Sequence, residues 1–376
     1  MEILYFLTYG YSLKTWSDSG QLAREIRHFE ALRSENEKIK FKIFSYGEDN
    51  DFEYIEKDFI EVVSIYKYIK KSNYKIVNFI KSFFIKKILR EVDLDKSELV
   101  IQNQLLGSWV SYLFKKNLKI PLIIRTGYDM FEFSINENKN ISKKLFFKYL
   151  TKKSLDKCDL YTVTSSCDKD FLLKNFSKKY SSKIKIRSNW VDSKVNIQIN
   201  NKNIVNNIVS VGRIEEQKNY ELIIRSIQGT NFELDIFGEG SLKEDLVKLS
   251  EELNVNINFL GIVNNEILVK KLQHYKFYIS SSKFEGNPKS VLEAMSSGCI
   301  VIASKIKNHL EFLNIDNSIL FDQNIESLKE TIINLDKISQ RREDELISNS
   351  LETINKRYNL NDLVKKEIKD INNLVK

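Results

Sequence analysis

Two glutamates eight positions apart stand in the run Phe284-Glu285-Gly286-Asn287-Pro288-Lys289-Ser290-Val291-Leu292-Glu293. A pair of acids on a short segment is a ready set of hydrogen-bond acceptors. Well before them, Arg213 and Lys218 lie in Gly212-Arg213-Ile214-Glu215-Glu216-Gln217-Lys218-Asn219. Two cations so placed suit a diphosphate, the arginine as a planar fork and the lysine as a point charge. Between the two segments, Gly238-Glu239-Gly240-Ser241 is a small-residue loop that lets a ligand approach the backbone closely. Singly, each has a plainer reading: a solvated loop, surface charges, an ordinary turn. Their common position just past strand ends is what points to a site.

The elements that must hold these residues are visible in the flanking pattern. Residues 277–281 read as a strand, Asn287 as the N-cap of the following helix and Pro288 as its first residue. Gly298 ends that helix, and 300–303 is the next buried strand. The amides of Lys289, Ser290 and Val291 then point into the crevice beyond the strand ends, where anions bind.

The same alternation runs through the chain and predicts parallel α/β architecture. Strands are expected at 3–8, 41–46, 99–103, 122–126, 160–164, 184–187, 208–212, 232–237 and 257–260, with helices such as 21–33, 76–91 and 143–157 between them. From about Glu326 onward the chain reads as helices, the last over 362–375 with Asn361 as its N-cap. The polar, Asn-rich stretch 192–207 marks a boundary. The expected division is an acceptor-binding domain over 1–195, a donor-binding domain over 205–357, and a terminal helix over 358–376 that packs back on the first.

At 376 residues the chain is too long for one ordinary core and fits two domains. Cys158, Cys167 and Cys299 are few, odd in number and without metal-ligand spacing, so a reducing compartment is expected, with neither disulfides nor zinc. Residues 3–7 read as a first strand and not as a leader. No apolar run reaches membrane-spanning length. The Asp-x-Asp pairs Asp49/Asp51, Asp93/Asp95 and Asp168/Asp170 are expected to be surface charges, and His28, His274 and His309 to be structural.

Residues 205–325 resemble the donor-binding domain of retaining GT-B glycosyltransferases of family 4, the glycosyl transferases group 1. The resemblance rests on Val211-Gly212-Arg213 with Lys218-Asn219, Phe237-Gly238-Glu239-Gly240, Phe259-Leu260-Gly261, the Glu285/Glu293 spacing, and Ser296-Ser297-Gly298-Cys299-Ile300-Val301-Ile302-Ala303-Ser304. In the first half it is thinner, resting on Lys157-Cys158-Asp159, Thr164-Ser165 and Arg187-Ser188-Asn189-Trp190-Val191-Asp192. It implies two Rossmann-like domains facing each other across a cleft, with a C-terminal helix returning toward the N-terminal domain. It also implies sugar transfer with retention from a UDP-, GDP- or ADP-linked donor, with no cofactor and no metal. The implied acceptor is a growing surface glycan (lipopolysaccharide, capsule or exopolysaccharide) or a lipid-linked glycan.

By that resemblance Arg213 and Lys218 hold the diphosphate and offset charge on the departing nucleotide. Glu293 accepts from the ribose hydroxyls and Glu285 contacts the transferred sugar. Ser290 and the 289–291 amides complete the phosphate cradle, with Gly212, Gly238, Gly240, Asn287 and Pro288 among the donor contacts and Gly261 flanking the base. One departure is plain. Many relatives carry a sugar-facing His after the fourth strand of the first domain; here Ile124-Arg125-Thr126-Gly127-Tyr128-Asp129 has none. Arg125 or Tyr128 stands in for it, or the sugar side is arranged differently.

Charge is uneven: residues 1–200 carry a balance of +11 and residues 201–376 one of −3. The basic excess is interleaved with aromatics over 64–90 and again over 143–149. On amphipathic helices that pattern suits an anionic membrane surface, and an ordinary helix with one buried and one lysine-rich face is the alternative. The expected location is cytoplasmic, peripheral on the inner membrane. Rival classes are a cytosolic transferase on a soluble sugar, a non-catalytic nucleotide-sugar binder and a nucleic-acid-binding protein. No nucleic-acid module is visible, and no G-x-G-x-x-G opens a helix after the first strand, which disfavours a dehydrogenase.

Overall fold

The computed structural model describes residues 1–191 and 204–375. The chain divides into two units, 1–187 with 363–376, and 188–362. Of the boundary stretch expected over 192–207, residues 192–203 lie outside the described residues, and the remainder belongs to a strand.

In the first unit, β1 (Glu2–Phe6), β2 (Lys40–Ser45), β3 (Ile60–Ser64), β4 (Ser97–Asn103), β5 (Leu122–Arg125), β6 (Leu160–Val163) and β7 (Ile184–Ile186) form one sheet. The order is β3-β2-β1-β4-β5-β6-β7, parallel at every pairing. Parallel strands are covered on both faces, which is why Ile3 through Phe6 is a continuous apolar run with every side chain buried. The edge strand β3 lacked such a run and was not expected from the sequence.

Several local expectations change in this unit. The single helix expected over 76–91 is two, Lys75–Lys81 and Lys86–Glu91. Ser82 closes the first by donating from its hydroxyl to the Phe79 carbonyl at 2.6 Å while accepting from Trp109 Nε1 at 2.8 Å. Asp51 and Asp168 are not surface charges: both are buried. Asp51 accepts from the Leu13 and Lys14 amides at 2.9 and 3.1 Å, satisfying the free N–H groups that open the helix Leu13–Asp18. Asp168 accepts from Thr164 Oγ1 at 3.2 Å.

The last helix runs Leu360–Val375 and starts earlier than expected, because Asn359 and not Asn361 caps it, its side chain accepting from the Asp362 amide at 2.9 Å. Within the first unit this helix is pinned by charge. Asp370 meets Lys185 at 2.6 Å and pairs with Arg187, while Glu367 lies 2.5 Å from His28 and 3.8 Å from Arg125.

The second unit has β8 (Ile204–Val211), β9 (Glu233–Phe237), β10 (Ile257–Gly261), β11 (Tyr275–Ser280), β12 (Ile300–Ser304) and β13 (Ile319–Phe321), again parallel, in the order β10-β9-β8-β11-β12-β13. The three-residue edge strand β13 is too short to show a period and was not expected. One core on the sheet holds Ile223, Ile236 and Ile279; another holds Val209, Leu292 and Val301. Each such side chain contributes about 1.5–3 kcal/mol by leaving water. From β8 the chain winds one way to β9 and β10, and from β11 the other way to β12 and β13. The loops after β8 and β11 therefore open beside each other at the switch point, where parallel sheets bind ligands.

Candidate active site

The loop after β8 carries two cations in different settings. Arg213 is exposed, its Nη2 3.4 Å from Gln217 Oε1. Lys218 turns inward and places Nζ 2.5 Å from Glu285 Oε1, in the loop after β11. Ser281 fastens the two loops by donating from Oγ to the Lys218 and Asn219 carbonyls at 2.7 and 2.9 Å.

Glu285 is held from three sides. Ser282 Oγ donates to Oε1 at 2.7 Å, Gln217 Nε2 donates to Oε2 at 3.2 Å, and the same amide reaches the Phe284 carbonyl at 2.9 Å. Burial pushes the carboxyl pKa up, but the Lys218 charge and the hydrogen bonds from Lys218 and Ser282 outweigh it and hold Glu285 below its ordinary range. The group is an anion at neutral pH.

The helix after this loop runs Lys289–Ser296, one residue shorter at its start than expected. Pro288 occupies the cap position, and the Asn287 side chain does not cap. Its Oδ1 accepts instead from the Asn189 amide at 2.9 Å, tying the 188–191 segment to the site. Ser290 Oγ accepts from Tyr278 OH at 2.9 Å. The Val291 side chain is part of the core, so any ligand contact there falls to its backbone. Glu293 is buried and accepts from Asn265 Nδ2 at 2.7 Å, on the side of the helix Asn265–Leu272.

The glycines do something more specific than open a cradle. Gly238 has φ 155°, and a Cβ on it would lie 2.0 Å from the Gly212 carbonyl oxygen; one on Gly240 would lie 2.3 Å from that of Ile214. The loop after β9 thus presses backbone to backbone against the loop that carries Arg213. Gly212 itself lets the Lys218 stem cross, since a Cβ there would meet Lys218 Cε at 2.7 Å. Gly261 ends β10 and bridges to Gly238.

Arg125 and Tyr128 belong to the first unit. Arg125 Nη1 donates to Tyr5 OH at 3.2 Å and lies 3.5 Å from His28 Nδ1. Tyr128 packs on Phe133 with ring centroids 4.4 Å apart.

Two residues that reasoning from the sequence passed over, Gln217 and Ser282, help to build the site, and His309, read from the sequence as structural, stands near enough to Glu285 to feel its charge. His309 is buried and donates from Nδ1 to the Ser304 carbonyl at 2.8 Å, which leaves Nε2 as the unprotonated, buried nitrogen. Burial drives its pKa down; the Ser304 hydrogen bond and the charge of Glu285 pull the other way without cancelling it. The only sequence signal for Gln217 was its place one residue before Lys218. Among the described residues no group of three or more His, Cys, Asp or Glu is arranged to hold a metal ion, and no helix is long and apolar enough to cross a membrane.

Comparison with known proteins bears on the fold and the family. Residues 192–352 match the family model for glycosyl transferases group 1. The N-acetylgalactosamine-N,N'-diacetylbacillosaminyl-diphospho-undecaprenol 4-alpha-N-acetylgalactosaminyltransferase of Campylobacter jejuni is 29% identical over 255 residues, 64% of this chain and 66% of that enzyme. The chain spans 60–66% of the length of the first curated relatives it matches. Sucrose-phosphate synthase of Thermosynechococcus elongatus shares the fold over 100% of this chain and 99% of its own, with TM-score 0.81 at 16% identity. HepE of Anabaena, in complex with UDP, does so over 100% of both chains, with TM-score 0.72 at 14% identity. Residues 192–352 are thus similar to the glycosyl transferases group 1 family, within a chain whose fold is that of the GT-B glycosyltransferases.

Proposed function

We propose that the chain transfers a sugar from a nucleotide-sugar donor to a lipid-linked acceptor or growing surface glycan, with retention at the anomeric carbon. The observation that carries the reading is the meeting of the loops after β8 and β11, where Lys218 is set against Glu285 and Arg213 stands exposed beside Gln217. The donor class is supported by the UDP bound to HepE, and the acceptor class by the diphospho-undecaprenol in the Campylobacter enzyme's name.

In this reading Arg213 and Lys218 bind the diphosphate and stabilise the nucleotide as it leaves. Prearranged positive charge at a developing anion is worth most in a site from which water is partly excluded. Glu285, ionised and fixed by Ser282 and Gln217, accepts from hydroxyls of the sugar being moved. Glu293 does the same for the ribose. Ser290, the 289–291 amides and the backbone at Asn287 and Pro288 take the phosphate oxygens. Arg125 and Tyr128 remain the proposed sugar-side residues. The two cations supply the charge compensation, so the proposed chemistry calls for no metal or cofactor. The proposed place of work is the cytoplasmic face of the inner membrane.

A thermal-shift screen of UDP-, GDP- and ADP-sugars tests the donor. Transfer of the label from the stabilising donor to lipid extracts, with the product's anomeric configuration read by NMR, tests the rest. A protein stabilised by no nucleotide sugar, or an inverted product, overturns the reading.

A further inference from the structure

We infer that one outer face of the first unit, formed by the segments 74–84 and 141–149, docks on an anionic lipid bilayer. Both segments lie on the same side of the first sheet, since their helices and the helix Ser108–Leu118 share one core cluster through Ile85, Phe114 and Leu150. Phe79 packs on Trp109 at 5.1 Å between ring centroids, and Tyr112 hydrogen-bonds Ser154 of the helix Ile141–Lys157. The two segments therefore flank the middle helix. They also lie at one end of it. Trp109 is in the first turn after β4, and residues 141–149 are the half of their helix nearest the end of β5, because a crossover helix runs antiparallel to its strands.

The residues facing outward there are apolar. Tyr74 is 72% exposed, Ile76 66% and Phe84 66%; on the other segment Ile141 is 75% exposed, Leu145 61% and Tyr149 60%. On the helix Ile141–Lys157 the buried residues are Leu150, Thr151, Ser154 and Leu155. Ile141, Leu145 and Tyr149, spaced i, i+4, i+8, fall on the opposite side. A helix with an apolar buried face and a purely lysine outer face would not look like this. Rings and branched chains stand in water on the surface, and such patches mark an interaction site.

The charge around them selects the partner. Residues 62–90 contain eight Lys or Arg and no Asp or Glu, and residues 138–155 contain six Lys and no Asp or Glu. A second copy of this chain would bring the same positive charge to the same face, and a nucleic acid has no use for exposed Ile and Leu. A bilayer bearing anionic headgroups accepts both features at once, the apolar side chains at the acyl boundary and the ammonium groups on phosphates. The inference rests on the proposed function only for its purpose, which is to bring the enzyme to a lipid-linked acceptor. Lipid binding itself is measured with neither donor nor acceptor present, so the two readings fail separately.

The test is co-sedimentation of the full chain with vesicles of phosphatidylglycerol and phosphatidylethanolamine, against vesicles of phosphatidylcholine, at low and high salt. The expected result is salt-sensitive binding to the anionic vesicles alone. The triple variant Lys143→Glu, Lys144→Glu, Lys148→Glu should weaken it by at least about a hundredfold, roughly a factor of five for each lysine lost, with repulsion of the new carboxylates added to that. A second variant, Ile141→Ser with Leu145→Ser and Tyr149→Ser, should also lose it. Both should melt as the wild type does, because the changed side chains are largely exposed. A wild-type chain that stays in the supernatant with every vesicle overturns the inference, as do variants that pellet like wild type. So does a concentration-dependent dimer that the serine variant abolishes without any lipid binding in the wild type.

Discussion

Lys218 Nζ lies 2.5 Å from Glu285 Oε1 across two loops that are 67 residues apart in sequence, and the two side chains are only 16% and 8% exposed. Two buried charges satisfy each other, and neither tolerates the loss of its partner. Lys218→Met should cost about 3–5 kcal/mol of stability, because it leaves the Glu285 carboxylate buried with Ser282 and Gln217 alone. Lys218→Met with Glu285→Leu should recover most of that loss while transferring no sugar. Urea denaturation beside an activity assay checks both. A double variant no more stable than the single would show that the pair does not hold the two loops.

Arg213 behaves differently, because it is exposed. Arg213→Ala should leave stability within about 0.5 kcal/mol of wild type and lower kcat by roughly 100- to 1,000-fold, the range for losing one preorganised charge partner in the transition state. Steady-state kinetics with a thermal melt decide it. A rise in KM alone, with kcat intact, would remove Arg213 from leaving-group stabilisation.

Glu367 makes acid stability depend on the C-terminal helix. Burial raises its pKa, but the charges of His28 and Arg125 dominate and hold it near 2, against an ordinary 4.5. A carboxyl depressed in the folded state stabilises fully above its unfolded value and loses that stabilisation as pH falls toward its folded one. Glu367→Gln should therefore be less stable than wild type by roughly 3 kcal/mol at pH 7, with the gap closing between pH 4.5 and 2. Asp129, which burial lifts to about 6, works in the opposite sense in both proteins, so the difference between them isolates Glu367. Denaturant midpoints across that range are the measurement, and a constant gap would contradict the assignment.

Gly238→Ala should damage the donor side by geometry alone. Its Cβ would sit 2.0 Å from the Gly212 carbonyl oxygen at a φ of 155° that alanine adopts poorly. The loop after β9 and the loop carrying Arg213 must part, at a cost of about 1–3 kcal/mol, and nucleotide-sugar affinity should fall with them. Calorimetric titration and a melt test this. Wild-type affinity in a folded Gly238→Ala protein would show that the close approach plays no part in binding.

The chain's own pattern determined the parallel α/β class, the position of most strands and the segment that carries the two glutamates. Runs such as Ile300 through Ala303, buried on both faces, are local signals that survive in one dimension. Short edge strands such as β13 carry too few residues to show a period. Only the tertiary structure decided that Asp51 and Asp168 are buried, that Ser82 divides a helix, and that Gly238 faces another loop's backbone. It also decided which residues surround Glu285. Ser282 is local, but Gln217 and Lys218 reach it because β8 and β11 are neighbours in the sheet, and His309 arrives from the loop after β12. Burial and partnership at these positions come from contacts between elements far apart in sequence, and no window of the chain contains both halves of such a contact.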